Sequence, residues 1–111
     1  MQYAVRAVKL FRHLQKPRDG AASVIARQYL RSATSIGANL IEAQSGESRR
    51  DFVHKCAIAQ KEAREAKYWL LLMLKSELAT TAQLERLIDE TDQLIAIVTT
   101  IIVKTKRSPN D

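Results

Sequence analysis

The sequence predicts an all-α protein that folds as one up-down-up-down antiparallel four-helix bundle. Only three glycines and two prolines interrupt its 111 residues, and Ala, Leu, Ile, Lys, Arg, Glu and Gln, which lose little on entering a helix, dominate the rest. Apolar residues recur at spacings of three and four along four segments. The breaks between these segments are short, so consecutive helices should pack antiparallel. One domain, residues 1–111, can bury a core without disulfides or metals.

The four helices are predicted near residues 3–15, 23–43, 49–77 and 81–105. Ser23, Ser48 and Thr80 are candidate N-caps, because each hydroxyl can accept a hydrogen bond from an amide of the first turn. The tail, residues 106–111, is expected to fray. The expected core faces are Ala4, Ala7, Val8, Phe11 and Leu14; Val24, Ile25, Leu30, Ala33, Ile36, Gly37, Leu40 and Ile41; Phe52, Cys56, Ala59, Ala63, Ala66, Leu70 and Met73; and Leu84, Leu87, Thr91, Leu94, Val98 and Ile101.

Cysteine content and hydropathy bound the class of protein. The lone Cys56 excludes a disulfide framework and fits a reducing compartment, where it is expected to be an inert core residue. No charged and then apolar leader opens the chain, and the longest apolar run, residues 68–74, is far shorter than a membrane span. The sequence therefore predicts a soluble, cytoplasmic protein with no membrane partner.

Catalytic and metal-binding patterns are weak. Asp51 and His54 share a helical face, but a di-iron bundle needs that carboxylate–histidine pattern twice, and it does not recur. Glu62 and Glu65 are expected on an outer face among basic residues. No phosphate-binding glycine loop or nucleophile–base set can be assembled. We predict no catalytic residue, no metal site and no cofactor, and hence a protein that is not an enzyme.

The net charge of +6 lies entirely in residues 1–50, which hold nine bases and three acids. Arg49 and Arg50 begin a helix, where the dipole favours anions, so they have no simple structural explanation. In an up-down bundle this helix start lies beside the end of the fourth helix, and a second basic stripe runs along the first helix with His13 and Lys16. The candidate nucleic-acid-binding residues are Arg6, Lys9, Arg49, Arg50, Lys104, Lys106 and Arg107. RNA or DNA, an anionic protein and plain solvation remain alternatives.

Some apolar residues exceed what one bundle can bury. Residues 68–74 have no polar face, and Ile97 and Val103 lie off the main seam of the fourth helix. A helix that is apolar all round must be buried all round, so we expect a second copy of the chain to cover it. The candidate oligomer interface is Tyr68, Trp69, Leu71, Leu72, Ile97 and Val103. The alternative is a compact monomer in which these residues cap the core.

Residues 31–43, RSATSIGANLIEA, combine a small-residue stripe with the polar residues Ser35, Asn39 and Glu42. Gly37 inside a helix costs about 1 kcal/mol relative to Ala, so a close helix approach is expected there. Asn39 and Glu42 could be half-buried groups that fix the register of neighbouring helices.

Together with residues 48–52, SRRDF, and 63–70, AREAKYWL, this segment resembles the four-helix bundle family of 23S rRNA intervening-sequence (S23-like) proteins. That group also includes the accessory variability determinant of diversity-generating retroelements. The resemblance implies an up-down bundle, assembly of five subunits and, in the retroelement branch, binding of nucleic acid and a reverse transcriptase. Gly37 departs from the proline of many members. The shared motif, Ser35, Gly37, Asn39 and Glu42, is structural. The function predicted is a non-enzymatic homo-oligomer that binds nucleic acid electrostatically; the alternative is a protein–protein scaffold.

Overall fold

The computed structural model describes residues 2–14 and 20–107 and shows four α-helices. They are α1 (Gln2–Leu14), α2 (Gly20–Gln44), α3 (Arg49–Lys75) and α4 (Thr81–Arg107). No strand occurs in these residues, and the helices form a rod of 53 × 20 × 20 Å. The predicted all-α four-helix bundle is confirmed.

Polar pairs between α2 and α3 show that the helices run antiparallel. Arg31 Nη1 lies 3.1 Å from Glu62 Oε2, and Glu42 Oε2, eleven residues later in α2, lies 2.8 Å from Lys55 Nζ, earlier in α3. Helices α3 and α4 are also antiparallel, since Gln60 Nε2 donates to Thr99 Oγ1 and Lys67, later in α3, pairs with Asp92, earlier in α4. Helix α1 packs mainly on α2 and less closely on α4.

The short first helix leaves part of the bundle uncovered. With 13 residues, α1 is about 20 Å long, whereas α2, α3 and α4, with 25 to 27 residues, reach about 40 Å. Tyr3 and Ala4, at the start of α1, contact a hollow shared with Gly37, Leu40 and Leu94. The described residues of α1 therefore cover only part of the length of α2 and α4.

Two helix boundaries differ from prediction. Ser23 is not an N-cap, because α2 already begins at Gly20; the helix-favouring Ala22 in the added turn is buried. At the other end of the chain, α4 continues through Lys106 and Arg107, which were expected to fray. Gln15, the break at 16–19 and the tail at 108–111 lie outside the described residues. Ser48 is the predicted cap of α3, and its hydroxyl accepts a hydrogen bond from Asp51 N at 3.1 Å.

Helix α3 ends at Lys75, two residues earlier than expected, in a Schellman motif. Leu78 N donates to Met73 O at 3.0 Å and Glu77 N donates to Leu74 O at 3.3 Å, the pattern that closes such an end. Glu77 adopts a left-handed φ of 58°. Glycine usually occupies this position, so the sequence carries no signal for the stop.

The core follows the prediction closely in α3 and poorly in α2. The face from Cys56 to Met73 is buried, with Phe52 half-buried at its start. In α2, Val24 and Ile41 are 62% and 63% exposed, although both were expected in the core. The buried side chains of α2 are mostly small, since the alanines of α3 bring the two backbones close. In α1, Tyr3 and Leu10 are buried where Ala4, Val8 and Phe11 were expected.

No helix among the described residues is long and apolar enough to cross a membrane.

Candidate nucleic-acid interface

The start of α3 and the end of α4 meet at one end of the bundle. Arg49, Arg50 and Val53 of α3 and Lys106 of α4 line a shared groove of about 300 Å³. The antiparallel order of α3 and α4 places these cations together, as the sequence predicted. Three basic side chains from two helices therefore surround one small apolar floor.

The charge at this end, which we call the basic end, is poorly balanced. Its cations are Arg49, Arg50, Lys104, Lys106 and Arg107, and the nearby acids in the sequence are Glu47 and Asp51. Within residues 2–14 and 20–107, no carboxylate forms an ion pair with Arg50, Lys104, Lys106 or Arg107, and all four residues are exposed. A phosphate group could accept hydrogen bonds from guanidinium and ammonium groups here.

The predicted basic stripe of α1 lies elsewhere. Arg6 forms an ion pair with Glu90 of α4, and Arg6 and Lys9 line a cleft with Arg86. Because Arg86 and Lys106 are twenty residues apart in one helix, this cleft lies about 30 Å from the basic end. The structure therefore separates the predicted nucleic-acid-binding residues into two sites. Lys16 lies outside the described residues.

The candidate oligomer interface is exposed in part. Tyr68 is 57%, Leu71 37%, Ile97 55% and Val103 39% exposed, whereas Trp69 and Leu72 are half-buried. Trp69 packs against the core, its Nε1 donates to Glu65 Oε2 at 3.2 Å, and its ring lies edge-on to Tyr68. Trp69 is thus held inside its own subunit, and Tyr68 and Leu71 are the accessible part of this segment.

The two exposed residues of α4, Ile97 and Val103, lie on different sides of that helix. Glu90 faces α1, and Ile97 follows it by seven residues, so Ile97 lies on the same side of α4, near the start of α1. Asp92 pairs with Lys67 of α3 at 2.7 Å, and Val103 follows Asp92 by eleven residues, on the α3 side. We call Tyr68 and Leu71 the outer surface, and Gly37, Leu40 and Leu94, with Ile97 about one turn beyond Leu94, the open groove. The exposed Ile41 lies outside it, in the hollow at the α2–α3 turn.

The motif of α2 makes mostly local hydrogen bonds. Ser35 Oγ donates to Arg31 O and Asn39 Nδ2 donates to Ser35 O, each at 2.8 Å within the helix. Only Glu42 reaches another helix, through its pair with Lys55. The close approach predicted at Gly37 is wrong for the described chain, because an added Cβ would meet nothing within 4 Å.

Glu62 and Glu65 do not lie on an outer face as expected. Both pair with Arg31 of α2, and the Glu62 side chain is only 14% exposed. Arg31 lies on the side of α2 that faces α3, so its ion pairs with Glu62 and Glu65 connect the two helices.

A buried chain of hydroxyl groups was not predicted. Tyr29 Oη donates to Tyr3 Oη at 3.1 Å, Tyr3 Oη lies 2.7 Å from Thr91 Oγ1, and Thr91 Oγ1 donates to Leu87 O at 2.6 Å. Since the Thr91 proton is used on Leu87, Tyr3 must donate to Thr91. Burial raises the pKa of both tyrosines above the ordinary value. The network connects α1, α2 and α4 and is fully satisfied.

Within residues 2–14 and 20–107, no group of three His, Cys, Asp or Glu side chains is placed to hold a metal ion. Asp51 and His54 line an open hollow at the α2–α3 turn. Cys56 is buried, and this burial raises the pKa of its thiol, which disfavours the reactive thiolate.

Fold and surface together define a small helical-bundle protein with a basic end and exposed apolar side chains. Residues 1–100 match the model of the 23S rRNA-intervening sequence protein family, and the chain belongs to that family. It is also similar to a crystal structure of a protein with unknown function from the S23 ribosomal protein family of Bacteroides thetaiotaomicron VPI-5482. That structure shares 39% identity over 91% of this chain and 92% of the other, with a TM-score of 0.85. No curated protein matches the chain.

Proposed function

We propose that this protein is a non-enzymatic, cytoplasmic, homo-oligomeric bundle that binds nucleic acid weakly through its basic end. The observation that supports this most is the groove in which Arg49, Arg50 and Lys106, from two helices, surround one floor residue, Val53. Lys104 and Arg107 extend the same field along the last turns of α4.

Recognition at this end would be electrostatic and largely independent of sequence. Guanidinium and ammonium groups bind phosphate oxygens, which are the same in every nucleotide. Base readout in single strands relies on aromatic stacking, and the nearest exposed aromatic residue on α3, Tyr68, lies about 27 Å along the helix from Arg50. Affinity should therefore come from counterion release.

A double substitution tests the location of this site. Arg50→Gln with Lys106→Gln removes two cations that pair with no carboxylate among the described residues, and it leaves helix propensity nearly unchanged. Arg49 is kept, since it interacts within its own chain. We expect affinity for a labelled single-stranded RNA to fall roughly tenfold or more at about 50 mM salt, measured by fluorescence anisotropy.

The matched control is Lys61→Gln with Arg64→Gln, which removes the same two residue types from the exposed outer face of α3. Its affinity should stay close to that of the wild-type protein. Equal losses in both variants would show that only net charge matters, and no binding by the wild-type protein would exclude the proposed function.

Self-association is proposed from the exposed apolar residues of α3 and α4. Tyr68 and Ile97 are both more than half exposed, and large exposed apolar patches on small proteins mark contacts. The family resemblance favours five subunits. Repetition of a weak basic end around an assembly would let one flexible polyanion engage several copies and gain avidity.

Light scattering after size exclusion tests this association and its surface. The wild-type protein should elute at a multiple of the 12.5 kDa chain mass. Tyr68→Glu and Ile97→Glu, made separately, assign the contact to the outer surface or to the open groove, because a buried unpaired charge is costly. Val24→Glu is the control, since Val24 is 62% exposed outside both surfaces.

A monomer mass for the wild-type protein, or an unchanged mass for both Tyr68→Glu and Ile97→Glu, would contradict the assignment. Self-association without RNA binding would instead favour the alternative function, a protein–protein scaffold. The reverse transcriptase partner that the resemblance implies stays a prediction.

A further inference from the structure

A second basic site, the α1–α4 cleft, lies far from the basic end. Arg6 and Lys9 of α1 face Arg86 of α4 across a cavity of about 190 Å³. Lys9 is exposed, and no acid among the described residues pairs with it. The Arg86 side chain is 71% exposed, and its Nε lies 3.7 Å from a carboxylate oxygen of Glu90. Lys9 and Arg86 are therefore accessible to an anion in solvent.

Arg86 of this cleft and Lys104 of the basic end lie on the same face of α4. Lys104 follows Arg86 by eighteen residues, which is about five complete helical turns and about 27 Å. Three exposed, uncharged residues occupy the same face between them: Gln93, Ile97 and Thr100. We call this line of residues from Arg86 to Lys104 the α4 track.

The α4 track has basic groups at both ends and little negative charge along it. Helix α1 contains no acid, and α4 contains none from Gln93 to Arg107. The three acids of α4 between Arg86 and Gln93 are each held by a neighbouring side chain, in the pairs Asp89 with Gln93, Glu90 with Arg6 and Asp92 with Lys67. The cations at the two ends of the track therefore remain available to an external polyanion.

The second half of the α4 track is not covered by α1. Tyr3, near the start of α1, lies 2.7 Å from Thr91 through its hydroxyl, so α1 lies beside the part of α4 that precedes the track's midpoint. Ile97, Thr100 and Lys104 are exposed. A linear polymer could lie along this face without displacing a helix.

We propose that one single strand of nucleic acid occupies the basic end and the α1–α4 cleft together, by lying along the α4 track. The proposal rests on the proposed function and adds a second point of contact to it. Phosphates at one end of the bound segment contact Lys9 and Arg86, and phosphates at the other end contact Lys104 and Arg107. The middle of the track needs no contact of its own, because linking two weak sites raises affinity through effective concentration.

The geometry of α4 lets a strand pass from the basic end onto the track. Arg107 lies between Lys104 and Lys106 around the circumference of the helix, so a strand that leaves the groove beside Lys106 meets Arg107 and then Lys104. With about 3.4 Å between successive phosphates, the 27 Å of the track correspond to about eight nucleotides. Shorter strands can occupy only one of the two sites.

Two oligouridine strands that differ in length provide the test. A pentanucleotide, about 17 Å long at the same spacing, reaches one site, whereas a dodecanucleotide, about 41 Å long, reaches both. Each strand is titrated into the full-length protein at about 50 mM salt, and backbone amide resonances are followed by NMR. Both strands should shift the amides of the basic end and of the cleft, and the dodecanucleotide alone should also shift those of Ile97 and Thr100. Shifts at the two sites with none at Ile97 and Thr100 would overturn the path along the track.

Removing the accessible cations of the cleft separates bridging from binding at the basic end. Lys9→Gln with Arg86→Gln keeps the Arg6–Glu90 pair and should weaken the dodecanucleotide roughly tenfold, while the pentanucleotide, followed at the basic end, should keep its affinity within about twofold. The dodecanucleotide should also lose about 1.4 from its slope of log K against log salt, since two phosphate contacts disappear, whereas the pentanucleotide keeps the salt dependence of the basic end alone.

The matched control is again Lys61→Gln with Arg64→Gln, which should leave both strands at wild-type affinity. A dodecanucleotide affinity that is equal in the cleft variant and in this control would overturn the proposal. An equal loss for both strands in the cleft variant would also overturn it, because net charge alone would then explain the effect.

Failure of the proposed function gives a different result. In that case Arg50→Gln with Lys106→Gln would leave the pentanucleotide shifts and affinity at the basic end unchanged, whatever the cleft variant does. The proposal also requires the track to stay open when copies of the chain associate. Dissociation of the assembly should therefore follow Tyr68→Glu, and dissociation by Ile97→Glu instead would place a subunit contact on the track and overturn the proposal.

Discussion

Replacing Tyr3 by Phe is expected to lower the free energy of unfolding by about 1–3 kcal/mol, although it removes a single oxygen atom. Tyr3 occupies the middle of the buried hydroxyl chain, where it accepts from Tyr29 and donates to Thr91. Without its oxygen, the Tyr29 hydroxyl proton is left in the core with no acceptor. An orphaned buried donor costs its full desolvation penalty.

Replacing Tyr29 by Phe should cost less, about 0.5–1.5 kcal/mol. Tyr29 is the first donor of the chain, so its removal leaves every remaining hydroxyl proton with an acceptor. The ring stays in both variants, so no cavity confuses the comparison. Urea denaturation of the two single variants measures the difference, and a larger loss for Tyr29→Phe than for Tyr3→Phe would show that the hydrogen bonds run in another direction.

Raising the salt concentration from about 50 to about 200 mM is expected to weaken the binding of single-stranded RNA about 50-fold. This estimate assigns one phosphate contact to each cation of the basic end that forms no ion pair within residues 2–14 and 20–107, namely Arg50, Lys104, Lys106 and Arg107. Each contact releases a counterion when it forms, and that release loses value as the bulk salt concentration rises. RNAs of equal length and different sequence should show the same dependence in an anisotropy titration, because no base contacts are involved at this end.

How far the sequence predicts the fold depends on how clearly each helix separates an apolar face from a polar one. In α3, Ala59, Ala63 and Ala66 alternate with charged residues, so a single face could be buried and it is. Helix α2 has apolar residues around most of its circumference, and periodicity could not reject Val24 or Ile41. Their exposure depends on the rotation of α2 against α3, which tertiary packing decides.

The burial and pairing of Tyr3 and Tyr29 were not predicted, for a related reason. Tyr29 is fully buried although it carries a polar oxygen. Its partner Tyr3 lies 26 residues away in the chain, and Thr91, the next partner of Tyr3, lies 88 residues from Tyr3. Tyr29 lies three residues after Ala26, four before Ala33 and seven before Ile36, and this helical spacing was a usable signal for its burial. Nothing in one sequence pairs it with Tyr3.

The basic end was predictable because it depends only on antiparallel order and on the similar lengths of α3 and α4, which place Arg50 beside Lys106. The α1–α4 cleft was not, since it also requires the rotation that brings Arg6 to Glu90. The charge of each side chain can be read from the sequence, but which carboxylate pairs with a given cation depends on how the helices pack.

The dependence of RNA affinity on salt concentration in three proteins tests electrostatic binding at the basic end most directly. For single strands, the slope of log K against log salt should be about −3 for the wild-type protein and about −1.5 for Arg50→Gln with Lys106→Gln, since two of four contacts are lost. Lys61→Gln with Arg64→Gln should keep the wild-type slope. A slope that is the same in the wild-type protein and the basic-end variant would contradict the assignment of nucleic-acid binding to this end of the bundle.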